Sequence, residues 1–343
     1  MDINELLKSK KKVFLDGGTG SEIQRLGGTM GPAFSGLANV FSPEIVIKVH
    51  ESHINAGCDM ITTNSFGTAR HCLEPSNLGD QTIKINIDTV KLARQAVKNS
   101  GKKIKIAGSM STYLALAENE FRPDTKFVPS FAKEEKNYKE QAKVLKEEGV
   151  EVLILEMLLD IDHAKILLNA ALETDLPVWV GLSCCISKFD ETVVGRNFRA
   201  EKERSIIYDP LKYPDEPKFL PEDKIINFAE IINSLKSIGG DVYGIMHSWF
   251  IDTKEGMKVL KSNWNGPIMF YPEIHKFDTS TMQALITENE IEFVDKCSEL
   301  IDDQVKIIGG CCGVTDKHLK SLICLLYTSD AADEEDSVDL GGR

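Results

Sequence analysis

Val305-Lys306-Ile307-Ile308-Gly309-Gly310-Cys311-Cys312-Gly313 is an apolar run that stops at two adjacent cysteines held between glycines. Glycine has no Cβ to keep backbone or substrate away, so the thiols are expected at the mouth of a strand, in a sharply turning and accessible segment. Neighbouring cysteines form a disulfide with each other only under strain, because their Cα atoms lie too close for relaxed geometry. The pair therefore reads as two soft ligands for one metal ion; the alternative is that both pack as small hydrophobes.

That run is the last of eight. Lys12–Asp16, Asp59–Asn64, Lys103–Ser109, Val150–Glu156, Pro177–Ser183, Asp241–His247 and Gly266–Tyr271 precede it, each ending in a turn-forming or polar cluster and each followed by a helical pattern. Several lack polar alternation, such as Val152-Leu153-Ile154-Leu155, as expected of parallel strands covered on both faces. Ser42-Pro43-Glu44 opens one helix as cap, first-turn proline and first-turn acid, and it runs to Gly57. Others are expected over about Ile83–Ala96 and over Lys133–Glu148, the latter stopped by Gly149. Eight strand–helix units make an α/β protein of the TIM (β/α)8 barrel type, a single domain over residues 1–323. A doubly wound sheet is the rival, but no Gly-x-Gly-x-x-Gly follows the first strand. The polar stretch Ser187–Asp223 makes an enlarged loop after strand 5, read either as a lid or partner contact or as a tolerated surface insertion.

Composition narrows the function. A net charge of −13 argues against a nucleic-acid groove, which needs a basic stripe. There is no apolar run of membrane-spanning length, and Met1-Asp2-Ile3-Asn4-Glu5 lacks a signal-peptide pattern, so the expected location is cytoplasmic. Eight cysteines, some of them adjacent, do not make a disulfide framework; in a reducing compartment they point to thiol or metal chemistry. Residues 324–343, from Cys324-Leu325-Leu326-Tyr327 to Gly341-Gly342-Arg343, resemble translated sequencing-library adapter, with the natural chain expected to be cut near Ile323; an ordinary acidic tail is the alternative. Without their six acids and one Arg, 47 acids stand against 39 bases.

On a barrel the C-terminal strand ends converge on one face. They are Asp16-Gly17-Gly18, Thr63-Asn64, Ser109, Glu156, Cys184-Cys185, His247, Tyr271 and Cys311-Cys312. His247 with Cys311 and Cys312 would form a three-ligand site with an open fourth position, which is what catalytic zinc requires. A packed, hydrogen-bonded histidine is the plainer reading of His247 alone.

Leu15-Asp16-Gly17-Gly18-Thr19-Gly20, Gly57-Cys58-Asp59-Met60-Ile61-Thr62-Thr63-Asn64-Ser65-Phe66, Ala107-Gly108-Ser109, Leu155-Glu156 and Gly309-Gly310-Cys311-Cys312-Gly313 resemble the homocysteine S-methyltransferases, across nearly all of residues 10–323. The resemblance implies a Zn2+-bearing barrel that moves a methyl group from a small donor to the thiolate of homocysteine, giving methionine. It implies substrate contacts at Asp16, Gly17 and Gly18, with Asn64 beside them, and places Glu156 on the substrate ammonium. Metal coordination would deprotonate a thiol whose free pKa is about 8.5.

The sequence departs from that pattern at one important place. Where the family has Gly-x-Asn-Cys, this chain reads Gly244-Ile245-Met246-His247. Imidazole is a good zinc ligand, so the site can survive as His-Cys-Cys with one negative charge fewer. With Met246 in place of the asparagine, the chain lacks a side-chain amide that the resemblance implies for binding the amino-acid end of homocysteine. Met110-Ser111 replaces Gly-Pro, and Met157 replaces Thr. Two other readings stay open: a zinc enzyme on the same barrel acting on another small thiol or by hydrolysis, and a degenerate metal-free binding protein. The expected partners are homocysteine and a small methyl donor, with no nucleic acid and no membrane, and with room for a homo-oligomer. Cys184 and Cys185 read as packing or pocket lining.

Overall fold

Each of the eight apolar runs becomes one strand of a parallel sheet: β1 Val13–Phe14, β2 Met60–Thr62, β3 Lys105–Ser111, β4 Val152–Leu158, β5 Val178–Leu182, β6 Val242–Trp249, β7 Ile268–Glu273 and β8 Val305–Ile308. The structure is a computed structural model that describes residues 3–9, 12–117, 123–187, 190–196, 225–278 and 283–326. The order around the sheet is β1-β8-β7-β6-β5-β4-β3-β2, so the chain winds once around a TIM barrel.

The β1–β2 seam has no ladder. The Asp59 N–H donates to Phe14 O (2.8 Å), and the Asp59 carboxylate accepts from the Phe14 N–H (2.9 Å). Farther along, the Asp16 carboxylate accepts from the Thr62 N–H (2.7 Å) and hydroxyl (2.9 Å). Two aspartates thus help to satisfy the backbone along this seam.

Period-2 alternation splits the strand side chains into two apolar layers. Val13, Leu15, Met60, Ala107, Val152, Ile154, Trp179, Val242, Met246, Met269 and Ile307 fill the barrel. Leu153, Leu155, Val180, Ile245, Phe270 and Ile308 belong to the outer layer, with Tyr138, Leu145, Leu167, Phe228, Ile231 and Leu319 from the helices. Both faces are covered, which is why the strands read as continuous apolar runs. Each fully buried large side chain contributes roughly 1.5–3 kcal/mol.

The three helices read from the sequence are Pro43–Ala56, Thr82–Ser100 and Phe131–Glu147, each within a few residues of its expected bounds. One detail differs. Ser42 precedes its helix but makes no side-chain cap bond; its hydroxyl is bonded to Thr29 instead. After β5 the chain forms a three-stranded antiparallel sheet from Cys185–Ile186, Val193–Arg196 and Ile225–Asn227. Most of the expected enlarged loop, residues 197–224, lies outside the described residues. The last helix covers 316–326, and the remainder of the adapter-like segment also lies outside them. Among the described residues no helix is long and apolar enough to cross a membrane.

Candidate metal centre

Two irregularities aim the site. β4 carries one residue more than β5 between Leu155 and Leu158, and β6 carries one more than β7 between Met246 and Trp249. Such bulges turn side chains that strict alternation would place elsewhere. Within them Met157 and His247 adopt φ of 58° and 50°, a left-handed backbone that is uncommon outside glycine and is tolerated by histidine more than by most residues. The β6 bulge is held from β5: Ser183 donates its hydroxyl proton to Met246 O (2.7 Å), and Ser248 Oγ accepts from the Cys184 N–H (2.9 Å).

The cysteine loop is held from two sides. The Cys311 N–H donates to Pro272 O (2.8 Å) and the Ile274 N–H donates to Cys312 O (3.0 Å), which fastens the loop to the end of β7. From β1 comes Gly18, packed so closely that a Cβ there would lie 2.6 Å from Cys311 O. Gly313 has φ +87°, and a Cβ on it would meet Ile274 O at 2.6 Å, so the turn after the cysteines also needs glycine.

The result is a cluster of donors. His247 Nδ1 lies 3.2 Å from Cys311 Sγ, and the two sulfurs are 3.9 Å apart. Together with Glu273, one ligand atom from each of the four residues falls within 4.8 Å of every other. Tetrahedral zinc bonds of about 2.3 Å to sulfur and 2.0–2.1 Å to nitrogen put donors about 3.5–3.8 Å apart, so the group fits a zinc ion. His247 Nε2 donates to Glu156 Oε2 (2.9 Å), leaving Nδ1 turned to the sulfurs, and Ser109 Oγ donates to Glu156 Oε1. A carboxylate on the far nitrogen of a metal-binding imidazole fixes the tautomer and ring orientation. The Phe66 ring lies 5.1 Å from the imidazole.

The charges respond to this packing. Burial lowers the His247 pKa, but the bond to Glu156 and the charges of Glu156, Cys312 and Glu273 outweigh it and raise the value overall. Burial pushes the Cys311 thiol up, while a hydrogen bond from Cys311 holds Cys312 down.

Asp16 sits apart from the donors. Its carboxylate is fully buried; besides Thr62 it has the Tyr271 hydroxyl at 3.1 Å and Thr19 at 3.4 Å. Burial raises its pKa to about 7 against those hydrogen bonds. The Tyr271 hydroxyl also lies 3.0 Å from Gly17 O. The Asn64 amide donates to Ser35 O (2.9 Å) and Asn39 Oδ1 (3.1 Å) and accepts from Ser35 Oγ (2.7 Å), so it ties loops together. His247, Cys311, Cys312 and Glu156 are therefore brought into one group, whereas the side chains of Asp16 and Asn64 are engaged in the frame around it. Cys184 is buried, with its sulfur 3.5 Å from Asp252 O.

A sequence profile of homocysteine S-methyltransferases matches residues 13–206 and 227–325. The chain belongs to the homocysteine S-methyltransferase family. It is accordingly an enzyme of the methyltransferase class. The metallated form of the homocysteine methyltransferase MmuM from Escherichia coli superposes with a TM-score of 0.65 at 16% identity, covering 93% of this chain and 98% of that one. The oxidized form of the same protein gives 0.64 and its apo form 0.60, both at 16% identity, 92% of this chain and 96% of that one. At that identity the likeness is one of fold.

Glu273 lies two residues beyond Tyr271, where the seventh apolar run stops, although the strand itself continues to it. Counting by twos along the barrel-facing residues Met269 and Tyr271 reaches Glu273 next, and that alternation is the signal that could have found it.

Proposed function

We propose that this family member is a zinc-dependent methyltransferase that moves a methyl group to the thiolate of homocysteine. The observation that carries the reading is the convergence of His247, Cys311 and Cys312 from the ends of β6 and β8, inside a family barrel. His247 through Nδ1 and the two cysteine sulfurs would hold the ion. Bound zinc would supply a coordinated, deprotonated substrate thiol near neutral pH.

The chain's own residues do the rest. Glu156 takes the Nε2 proton of His247 in a hydrogen bond and keeps Nδ1 facing the sulfurs. A carboxylate has about four acceptor positions, so Glu156 can also take the ammonium of an amino-acid substrate while Ser109 and His247 occupy two of them. The β1 loop, Asp16-Gly17-Gly18, backs the cysteine loop and would meet the substrate through backbone, since the Asp16 carboxylate is spent on the seam. Asn64 supports that loop face through Ser35 and Asn39. Attack on a sulfonium or quaternary ammonium methyl expels a neutral leaving group, so no general acid is required.

A second reading, another small thiol as acceptor, is favoured by one observation. Met246 is fully buried where the family pattern has asparagine, so no amide at that position meets the substrate's amino-acid end.

The test is to measure zinc per chain and then methyl transfer to homocysteine from betaine, dimethylsulfoniopropionate, S-methylmethionine and S-adenosylmethionine. About one zinc per chain with turnover on one of these donors is expected. A protein that binds no zinc is the metal-free binding barrel instead. One that binds zinc but methylates only a different thiol carries the second reading.

A further inference from the structure

The cluster holds one donor more than an open site needs. Glu273 brings a carboxylate within 4.8 Å of a ligand atom of His247, Cys311 and Cys312. Its position is built in: the residue before it accepts the Cys311 N–H and the residue after it donates to Cys312 O, so its backbone is clamped to the cysteine loop on both sides. Alternation along β7 turns it to the barrel face, as it does Met269 and Tyr271. A site closed by four protein donors is a structural site, yet a methyl acceptor needs a coordination position.

The four donors are not equally fixed. Cysteine has one rotatable side-chain torsion and glutamate three, and Cys311 and Cys312 stand in a loop locked by hydrogen bonds. Thiolate is also a softer ligand for zinc than carboxylate, so an arriving thiolate displaces the carboxylate first. His275 Nδ1 lies 3.8 Å from Glu273 Oε2 and gives a released carboxylate a polar neighbour.

We propose that Glu273 is the resident fourth ligand of the centre and that the substrate thiolate displaces it. The proposal rests on the zinc reading above. In the exchange a metal–sulfur bond forms, the metal–carboxylate bond breaks and the thiol proton goes to solvent. One anion replaces another, so the net charge on the metal and its ligands is unchanged.

Linkage makes this testable. The thiol-bound forms of the wild type and of Glu273→Ala or Glu273→Gln share the same ligand set. Whatever factor the variants lose in resting zinc affinity must therefore reappear as tighter thiol binding to the zinc-loaded variant. The expected factor is about 5 to 150, read by chelator competition for zinc and by titration of the zinc-loaded and cobalt-substituted proteins with L-homocysteine. The second measurement needs no variant: X-ray absorption of the wild-type zinc protein should show two sulfur and two nitrogen or oxygen ligands at rest, and three sulfurs and one nitrogen after homocysteine is added. Variants that hold zinc as tightly as wild type, or bind thiol no more tightly, overturn the role of Glu273 and leave the zinc enzyme standing. So does an absorption spectrum in which a sulfur is gained with no nitrogen or oxygen lost. A wild type that binds no zinc overturns both readings.

Discussion

Acid should unfold this protein through two histidines behind the site. His50 and His53 lie on helix Pro43–Ala56, are fully buried, and have no hydrogen-bond partner for either ring nitrogen among the described residues. Burial lowers the His50 pKa to about 4; burial, with the charge of His50 beside it, lowers that of His53 to about 3. The folded protein keeps both neutral, whereas the unfolded chain protonates them at about 6.5. Below that value the unfolded state binds more protons, so stability is lost as the pH falls, from near 6.5 toward 4 and 3. Each group costs about 1.4 kcal/mol per pH unit in that window, so the pair costs about 2.7, or on the order of 5 kcal/mol by pH 4.5. That approaches the whole stability of an ordinary domain.

Asp16 acts in the opposite sense. Its folded pKa of about 7 lies above the ordinary carboxylate value, so its contribution is present at low pH and is lost as the pH rises through 7. Between about pH 6 and 4.5 it returns about 1.4 kcal/mol per pH unit, leaving a net loss of about the same size in the wild type. Urea unfolding followed by circular dichroism at several pH values should show that slope. In a His50→Leu/His53→Met variant it should differ by about 2.7 kcal/mol per pH unit, whatever constant packing cost the substitutions carry. Equal slopes in the two proteins, or histidine NMR titrations centred near the ordinary value for His50 and His53, would refute the reasoning.

Four further outcomes are expected. Cys311→Ala or Cys312→Ala should remove zinc and methyl transfer together, whereas His247→Cys should keep the metal; metal analysis and a single assay separate them. Glu156→Gln keeps the shape of the carboxylate but not its charge, and should weaken zinc binding by about tenfold to a hundredfold in a chelator competition. Gly18→Ala would drive a Cβ to 2.6 Å from Cys311 O and should cost about 1–3 kcal/mol in urea unfolding together with a loss of zinc affinity. Deleting Thr328–Arg343 should leave the thermal midpoint and zinc content unchanged if those residues are adapter; a lower midpoint would count against that reading.

The barrel was legible in the chain itself. Eight short apolar, β-branched runs, each followed by a helical pattern, leave few ways to bury apolar surface on both faces of every strand, and all eight runs became neighbouring strands. The cysteine loop was legible too, because glycines beside paired thiols mark a turn where backbone must come close. His247 and Glu156 could be named as strand ends, but not as partners. Their meeting depends on bulges in β4 and β6, and a single extra residue changes which way a side chain points while leaving hardly any trace in composition or periodicity. Alternation along β7 turns Glu273 inward, but neither its reach to the thiols nor the use of the Asp16 carboxylate on the Thr62 backbone is written in the local pattern. Those contacts join residues far apart in the chain, and only closing the barrel brings them within reach.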